Sequence, residues 1–354
     1  MSRLPTAGED LAESLRALVR EGIACRMFPA AVAYVSQGGR VTFHEASGTL
    51  TYRPGSRETR LDDLFDLASL TKLFTTAVAL RLVGRGVLSL EEPLSALLPE
   101  LRRPWSLADL LAHRTGTTAG LLAEALRAGV EPCLPGQGAA LWRLILASEP
   151  VVALAEGESH YSDIDFLLVQ AACERATGRR LDELLTAEVC KPLGLDNTTF
   201  RPQDLERCVP TEIDERWRGG QVRGSVHDEM AATLGGVAGH AGLFSTASEM
   251  GRFCEAWLPG GTLLPGALRQ AALRPHSRQF GLGWRLTNAN FFPELSPYGA
   301  VGHLGFTGTS AFLFPDQGVV FVLFTNRVYP RRDVAPSRLP LLGRMASAII
   351  EAPA

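Results

Sequence analysis

The two ends of the chain resemble each other and differ from what lies between them, and this arrangement restricts the fold more than any other feature. Leu11, Leu15, Leu18 and Val19 recur at helical spacing with charges between, which predicts an amphipathic helix over residues 8–21. Two β-rich runs follow, 29–36 and 41–48, joined through Gly38-Gly39 as a hairpin. Towards the other end, 300–308, 309–314 and 319–324 read as strands around a Pro315-Asp316-Gln317-Gly318 turn, and 339–350 reads as an apolar helix. The middle is long and mainly helical. The fold class this predicts is α/β, an α+β sandwich: an antiparallel sheet flanked by N- and C-terminal helices, with a large helical insertion. Residues 1–66 with 295–354 would form the discontinuous sandwich domain and 67–294 the helical one, with an active site in the cleft between.

Inside that insertion, Asp66-Leu67-Ala68-Ser69-Leu70-Thr71-Lys72-Leu73-Phe74 sets a serine three residues ahead of a lysine. On a helix this spacing puts both on one face, within reach of each other. Ser-x-x-Lys is short enough to arise by chance, but Lys72 and Lys191 are the only lysines in a chain whose other basic residues are arginines and histidines. Arginine would serve a surface position equally well and cannot surrender a proton, so lysine here points to proton transfer. The flanks Leu67, Leu70, Leu73, Phe74, Ala77, Val78 and Leu80 predict a buried helix. A serine hydroxyl with an amine able to take its proton is an activated nucleophile, the chemistry of acyl transfer.

Bulk properties exclude other classes. A net charge of -3 and a pI near 6.2 leave no basic surface for nucleic acid. No run approaches the roughly 18 apolar residues of a membrane span. The opening stretch Met1-Ser2-Arg3-Leu4-Pro5 is polar, without the apolar core of a signal peptide, so the expectation is a cytoplasmic protein. Six cysteines lack Cys-x-x-Cys spacing and read as reduced core residues, with no disulfide and no zinc site.

Further along, 105–116 reads as a short helix capped by Ser106, with His113 closing its C-terminus where the dipole favours a cation. Tyr161, before the helix that ends at Thr177-Gly178, reads either as a packed aromatic or as a proton shuttle. The stretch 234–246 is the most glycine-dense, suits a loop passing an active site, and lacks the Lys-Ser/Thr ending of a phosphate loop. Thr246 to Glu249 reads as a capping box for a helix with Met250, Phe253 and Trp257 inward. His240 in the glycine loop, and the neighbours His227 and Asp228, are pocket candidates; a histidine beside an aspartate is otherwise a structural pair.

Three separated elements, in order, resemble the serine β-lactamase and penicillin-binding-protein superfamily, on the branch with class C β-lactamases, esterases and D-amino-acid peptidases. Ser69-Leu70-Thr71-Lys72 is similar to its first motif, Tyr161-Ser162-Asp163 to its Tyr-x-Asn motif, and His303-Leu304-Gly305 to its Lys-Thr-Gly motif. Leu110-Leu111-Ala112-His113-Arg114-Thr115-Gly116 and Pro192-Leu193-Gly194-Leu195 are similar to accessory stretches of that family. The resemblance implies a β-lactamase/transpeptidase-like fold, Ser69 as nucleophile and Lys72 with Tyr161 as proton relay. It also implies an oxyanion hole from the backbone N–H groups of Ser69 and Phe306.

Departures from the pattern bear on substrate. Asp163 replaces an amide with a group that only accepts, and His303 and Leu304 replace the lysine and threonine that grip a substrate carboxylate. With His240 and Gly305, these are the expected substrate-binding residues. The expectation is a serine hydrolase acting through an acyl-enzyme, foremost a carboxylesterase on small, uncharged acyl esters. A β-lactamase or D-peptidase, and a catalytically inactive ligand sensor, are the rivals. No metal or organic cofactor is required; the partner is a small-molecule ester or amide.

Overall fold

The computed structural model describes residues 7–334 and 336–352. Residues 1–6, whose polar character underlies the cytoplasmic expectation, lie outside them. Helix α1 (Ala7–Ala24) leads into strands β1 (Ala30–Gln37) and β2 (Arg40–Gly48), the hairpin that the glycine pair predicts. After the helical middle come β3 (Arg285–Leu286), β4 (Val301–Leu304), β5 (Ser310–Phe314) and β6 (Val319–Thr325), and a closing helix of residues Leu339–Glu351. They form one six-stranded sheet in the order β2-β1-β6-β5-β4-β3, antiparallel throughout. The N-terminal β1 lies against the C-terminal β6, from Ala31 opposite Thr325 to Gln37 opposite Val319.

Strand alternation decides which layer each residue joins. On β1, Ala31, Ala33 and Val35 pack with Leu15, Leu18 and Val19 of α1 and Leu342 and Met345 of the closing helix. Val32 and Tyr34 face the other way, into the core shared with the helical middle. The sheet is therefore covered on both faces, which is why β6, Val319–Thr325, is apolar along nearly its whole length and buried at every position.

Helix α2 (Thr71–Gly84) runs through the middle of the larger core, buried from Thr71 to Leu80 as its flanks predict. Helix α3 (Leu107–Leu111) is capped by Ser106, whose side chain accepts the Asp109 N–H while the Asp109 carboxylate accepts the Ser106 N–H. Helix α4 (Asp163–Thr177) starts at an N-cap Ser162 and stops at Gly178, whose φ of 67° ends it in the left-handed region. Helix α5 (Ala247–Glu255) shows half of the expected capping box. The Thr246 hydroxyl accepts the Glu249 N–H at 3.2 Å, but the Glu249 carboxylate turns away to accept from Asn197 N–H at 2.9 Å and Thr198 Oγ1 at 2.6 Å. That tertiary bond pins the loop before β-bridge Thr199–Phe244 instead of closing the helix end. With the Leu339–Glu351 helix as α6, no helix among the described residues is long and apolar enough to cross a membrane. All six cysteines are free.

Candidate active site

Ser69 is one element away from where its spacing puts it. It lies in a short 3-10 turn, Ala68–Leu70, that runs directly into α2, and Ala68 ahead of it has a φ of 47°. A non-glycine residue there is strained and persists only when its surroundings fix it. Asp66 does so: its carboxylate accepts the Ala68 N–H at 2.8 Å and the His227 N–H at 2.6 Å.

Lys72, in the first turn of α2, is completely buried. Its Nζ donates to Ser69 Oγ at 3.0 Å, Asp163 Oδ1 at 2.8 Å and the His240 carbonyl at 3.1 Å, which uses all three N–H bonds of an ammonium. Burial by itself pushes the lysine pKa down, but the Asp163 carboxylate and Tyr161 outweigh it and hold the amine well above its usual value. Tyr161 Oη donates to the same Ser69 Oγ at 2.9 Å, and burial pushes its phenol up. With both groups protonated, Ser69 Oγ only receives hydrogen bonds. Attack on a substrate therefore requires the Lys72–Tyr161 pair to lose one proton, and it titrates as a pair.

A buried polar network backs Tyr161. The His113 ring lies 4.7 Å from the Tyr161 ring, and its Nδ1 is 2.9 Å from Asp165 Oδ2. The Ser162 N–H also points at Nδ1, at 3.3 Å, so Nδ1 carries the lone pair and the shared proton sits on Asp165. Thr115 and Thr117 donate to the other Asp165 oxygen at 2.5 and 3.0 Å. Burial accounts for both shifts: the Asp165 carboxyl is pushed up to about 8 and the His113 imidazole down to about 3. This corrects the role read for His113 from its position. It is a neutral ring with φ of 55°, not a cation on a helix C-terminus.

Strand β4 supplies the opposite wall. His303 Nδ1–H donates to the Leu304 carbonyl at 3.0 Å, leaving Nε2 as a buried lone pair without a partner among the described residues. Burial first, then Lys72, push its pKa well below the usual value, so the ring is neutral. Beyond the strand, Thr307 Oγ1 donates to the Asp66 carbonyl at 2.7 Å and Thr309 Oγ1 to the Leu67 carbonyl at 2.9 Å. Those bonds stitch the Gly305–Thr309 turn to the segment entering Ser69, so Phe306 and Ser69 face one cavity of about 660 Å³. Tyr161, Asp163, His303, Leu304 and Gly305 line it as well, and the Phe306 ring stands half exposed at its edge.

His227 and Asp228 do not pair with each other. His227 Nε2 meets Glu212 Oε2 at 2.7 Å, while Asp228 accepts from Ala231 N–H at 2.7 Å and meets His240 Nε2 at 3.0 Å. His240 is buried beneath the wall and reaches the reacting groups through its carbonyl on Lys72. Asp163, Asp228 and His240 hold ligand atoms within 4.8 Å of one another, a spacing that would suit a cation. The Lys72 ammonium already supplies that positive charge.

Sequence reasoning missed Asp66, Asp165 and the pair Thr307 and Thr309. Asp165 carried a signal, an acid set between Ile164 and Phe166 in an apolar run. The threonines carried none, because their acceptors are main-chain carbonyls some 240 residues away in the chain.

A family model described as Beta-lactamase matches residues 15–342. N-acetylmuramyl-L-alanine amidase of Bacillus subtilis (strain 168) is 30% identical over 347 residues, covering 85% of this chain and 77% of the relative. A putative D-alanyl-D-alanine carboxypeptidase of Escherichia coli (strain K12) is 29% identical over 315 residues, covering 78% of this chain and 72% of the relative. Among solved structures, EstCE1, a hydrolase with promiscuous acyltransferase activity, superposes with a TM-score of 0.78 at 21% identity, covering 97% of this chain and 99% of that one. Simvastatin synthase (LovD) from Aspergillus terreus gives a TM-score of 0.76 at 21% identity, over 98% and 100%. At such identities the likeness speaks to the fold.

Proposed function

Because this chain belongs to the beta-lactamase family, we propose that it is a serine hydrolase acting through an acyl-enzyme, with small acyl esters as its substrates. One observation carries the reading: Ser69 Oγ lies between Lys72 Nζ at 3.0 Å and Tyr161 Oη at 2.9 Å, on the floor of an open cavity. Ser69 Oγ attacks the acyl carbon and its proton passes to the deprotonated Lys72–Tyr161 pair. The N–H groups of Ser69 and Phe306 hold the oxyanion, each such donor being worth about 3 kcal/mol in systems where one has been removed. Collapse breaks the carbon–oxygen bond to the alcohol, which leaves with the proton from the pair. Water then repeats the sequence on the Ser69 ester, giving up its proton to the pair and restoring the serine.

Preference for esters over amides rests on the leaving group. An alkoxide needs less help from the pair than an amine does, and a pair held protonated by Asp163 is a reluctant base. Six free cysteines support a reducing compartment, and we place the enzyme in the cytoplasm on that ground.

The test is labelling with a fluorophosphonate together with turnover of p-nitrophenyl butyrate and nitrocefin, in wild type and Ser69→Ala. An adduct and ester turnover that both vanish with the hydroxyl support the reading. Nitrocefin turnover comparable to that of the ester would favour β-lactam hydrolysis instead. A folded wild type that takes no label would make the protein a ligand sensor.

A further inference from the structure

Charged and titratable groups reach Tyr161 from every element packed against it. Lys72 of α2 holds Nζ 4.9 Å from the centre of the phenol ring, and Asp163 of α4 lies 2.8 Å from that Nζ. Asp165 and His113 share one proton behind the ring, and His303 on β4 is neutral. His160 adjoins the tyrosine in the chain. Further out, Asp228 meets His240 at 3.0 Å and Glu158 meets Arg278 at 3.5 Å. Lys72 and Asp163 offset each other, so one charge among these neighbours is left without an opposite. It is Arg285.

Arg285 lies on β3, the edge strand of the sheet, opposite Gly302 and so one residue from His303. It faces Phe280 across a β-bridge, and its guanidinium sits 4.1 Å over the Phe291 ring and 5.9 Å from the Phe280 ring. Phe280 in turn stacks on Tyr161, with centroids 6.2 Å apart and 28° between the planes. Arg285 and Tyr161 both line the cavity. The guanidinium Nε is buried with no hydrogen-bond partner, and no carboxylate lies within ion-pair distance, among the described residues. Burial pulls the arginine below its usual range and the Tyr161 phenol draws it back up. Its charge is felt elsewhere too: after burial and Lys72, Arg285 adds to what keeps His113 and His303 neutral. A buried cation without a counter-charge is expensive to keep, and two aromatic faces recover only part of that cost.

The resting trio of Lys72 ammonium, Tyr161 phenol and Asp163 carboxylate is neutral overall. Loss of one proton to solvent, from the amine or the phenol, leaves it with one negative charge. We propose that Arg285 is a positioning residue for proton transfer at Ser69, its unpaired charge favouring the deprotonated Lys72–Tyr161 pair over the resting one. It acts against Asp163, and the balance of the two sets the pH at which the serine becomes reactive. The inference rests on the hydrolase reading above and deepens it by naming what moves the pair into its working state.

The experiment has a kinetic and a spectroscopic arm. The pH profile of kcat/KM for phenyl butyrate, a neutral ester, is measured in wild type, Arg285→Met, Arg285→Gln and Arg285→Lys. Lys72 and Lys191 are the only lysines, so carbon NMR of labelled lysine follows Lys72 directly. It is titrated in Asp163→Asn, where loss of the neighbouring charge brings it within reach, with and without Arg285→Met. The expected result is an acidic limb, and a Lys72 titration, about one unit higher when the cation is removed, with the limb returning towards wild type in Arg285→Lys. A limb that stays in place in the folded neutral variants, whatever the change in rate, makes Arg285 a packing residue and overturns the inference while leaving the hydrolase reading intact. An equal shift in Arg285→Lys overturns it as well, because shape and not charge would then set the limb. If wild type turns over no ester and the Lys72 titration still moves with Arg285→Met, the charge assignment stands and the hydrolase reading falls. If neither occurs, both fall.

Discussion

Lys72 Nζ stands 2.8 Å from Asp163 Oδ1, and the lysine side chain is completely buried while the aspartate keeps an open edge on the cavity. The negative charge sits beside the two groups that, in the proposed mechanism, must lose a proton before Ser69 reacts. It raises the proton affinity of Lys72 and of Tyr161 alike. In the proposed mechanism the resting state would therefore be well stabilised and slow to react at neutral pH.

Replacing that charge by an amide should loosen the brake. Asp163→Asn keeps an acceptor for Lys72 but removes the Coulombic stabilisation of the ammonium, so the apparent pKa of the Lys72–Tyr161 pair falls. The active, deprotonated fraction at a given pH rises. The acidic limb of the kcat/KM profile should move to lower pH by about 1 to 3 units, the usual effect of one close opposite charge. This holds whichever of the two groups is the base. A pH–rate profile of the two proteins checks it, and a limb that stays in place would remove the Asp163 charge from control of the reaction.

The His113–Asp165 pair predicts how stability varies with pH. His113 is lowered from 6.5 to about 3, so its contribution is present above 6.5 and lost as pH falls towards 3. Asp165 is raised from 3.8 to about 8, so its contribution is present below 3.8 and lost as pH rises towards 8. Between about pH 4 and 6.5 the slopes cancel, because one proton is bound to the pair in either state. From pH 6.5 to 8 only the Asp165 slope remains, and stability should fall by about 2 kcal/mol. Urea unfolding at pH 6 and pH 8 measures this, and Asp165→Asn should flatten the difference.

The reading from sequence reached the fold because its signals were local and repeated. The hairpin over Ala30–Gly48, the last three strands and the closing helix each announce themselves by period and turn residues. The approach of Ser69 to Lys72 is legible from spacing and usage, while Tyr161 reads from position as either a packed aromatic or a proton shuttle, and likeness to known motifs favours the second. What escaped was set by distant pairing. Glu249 looked like a capping residue and serves Asn197 and Thr198 instead, and His227 and Asp228 looked like a pair and have separate partners.

Gly305 tests the stitching between the two halves of the site. A Cβ there would stand 2.0 Å from Thr309 Oγ1 and 2.5 Å from the Leu67 carbonyl. The hydroxyl could turn away, but the carbonyl is main chain and belongs to the segment that positions Ser69. Gly305→Ala should separate the Phe306 N–H from the serine and lower kcat by about 100-fold or more, as loss of an oxyanion donor does. Binding of a neutral ester, read as KM, should change much less. Comparable loss in KM and kcat would mean that the turn shapes the pocket and not the oxyanion hole.

Tyr161→Phe separates catalysis from packing at one position. The ring lies 4.7 Å from His113 and 6.2 Å from Phe280, and the phenylalanine ring preserves both contacts. Only the hydroxyl on Ser69 Oγ is lost, and with it the donor that helps hold the pair in its resting state. Because the hydroxyl bonds to another hydroxyl at the cavity floor, its removal should change stability by no more than about 1 kcal/mol. Turnover should fall by about 10²–10⁴-fold, the range for a positioned acid or base. If the release of alcohol relies on the phenol, the deficit should appear in the burst of the first turnover and be larger for esters with poor leaving groups. A variant equally slow with good and poor leaving groups would assign proton delivery to Lys72 alone.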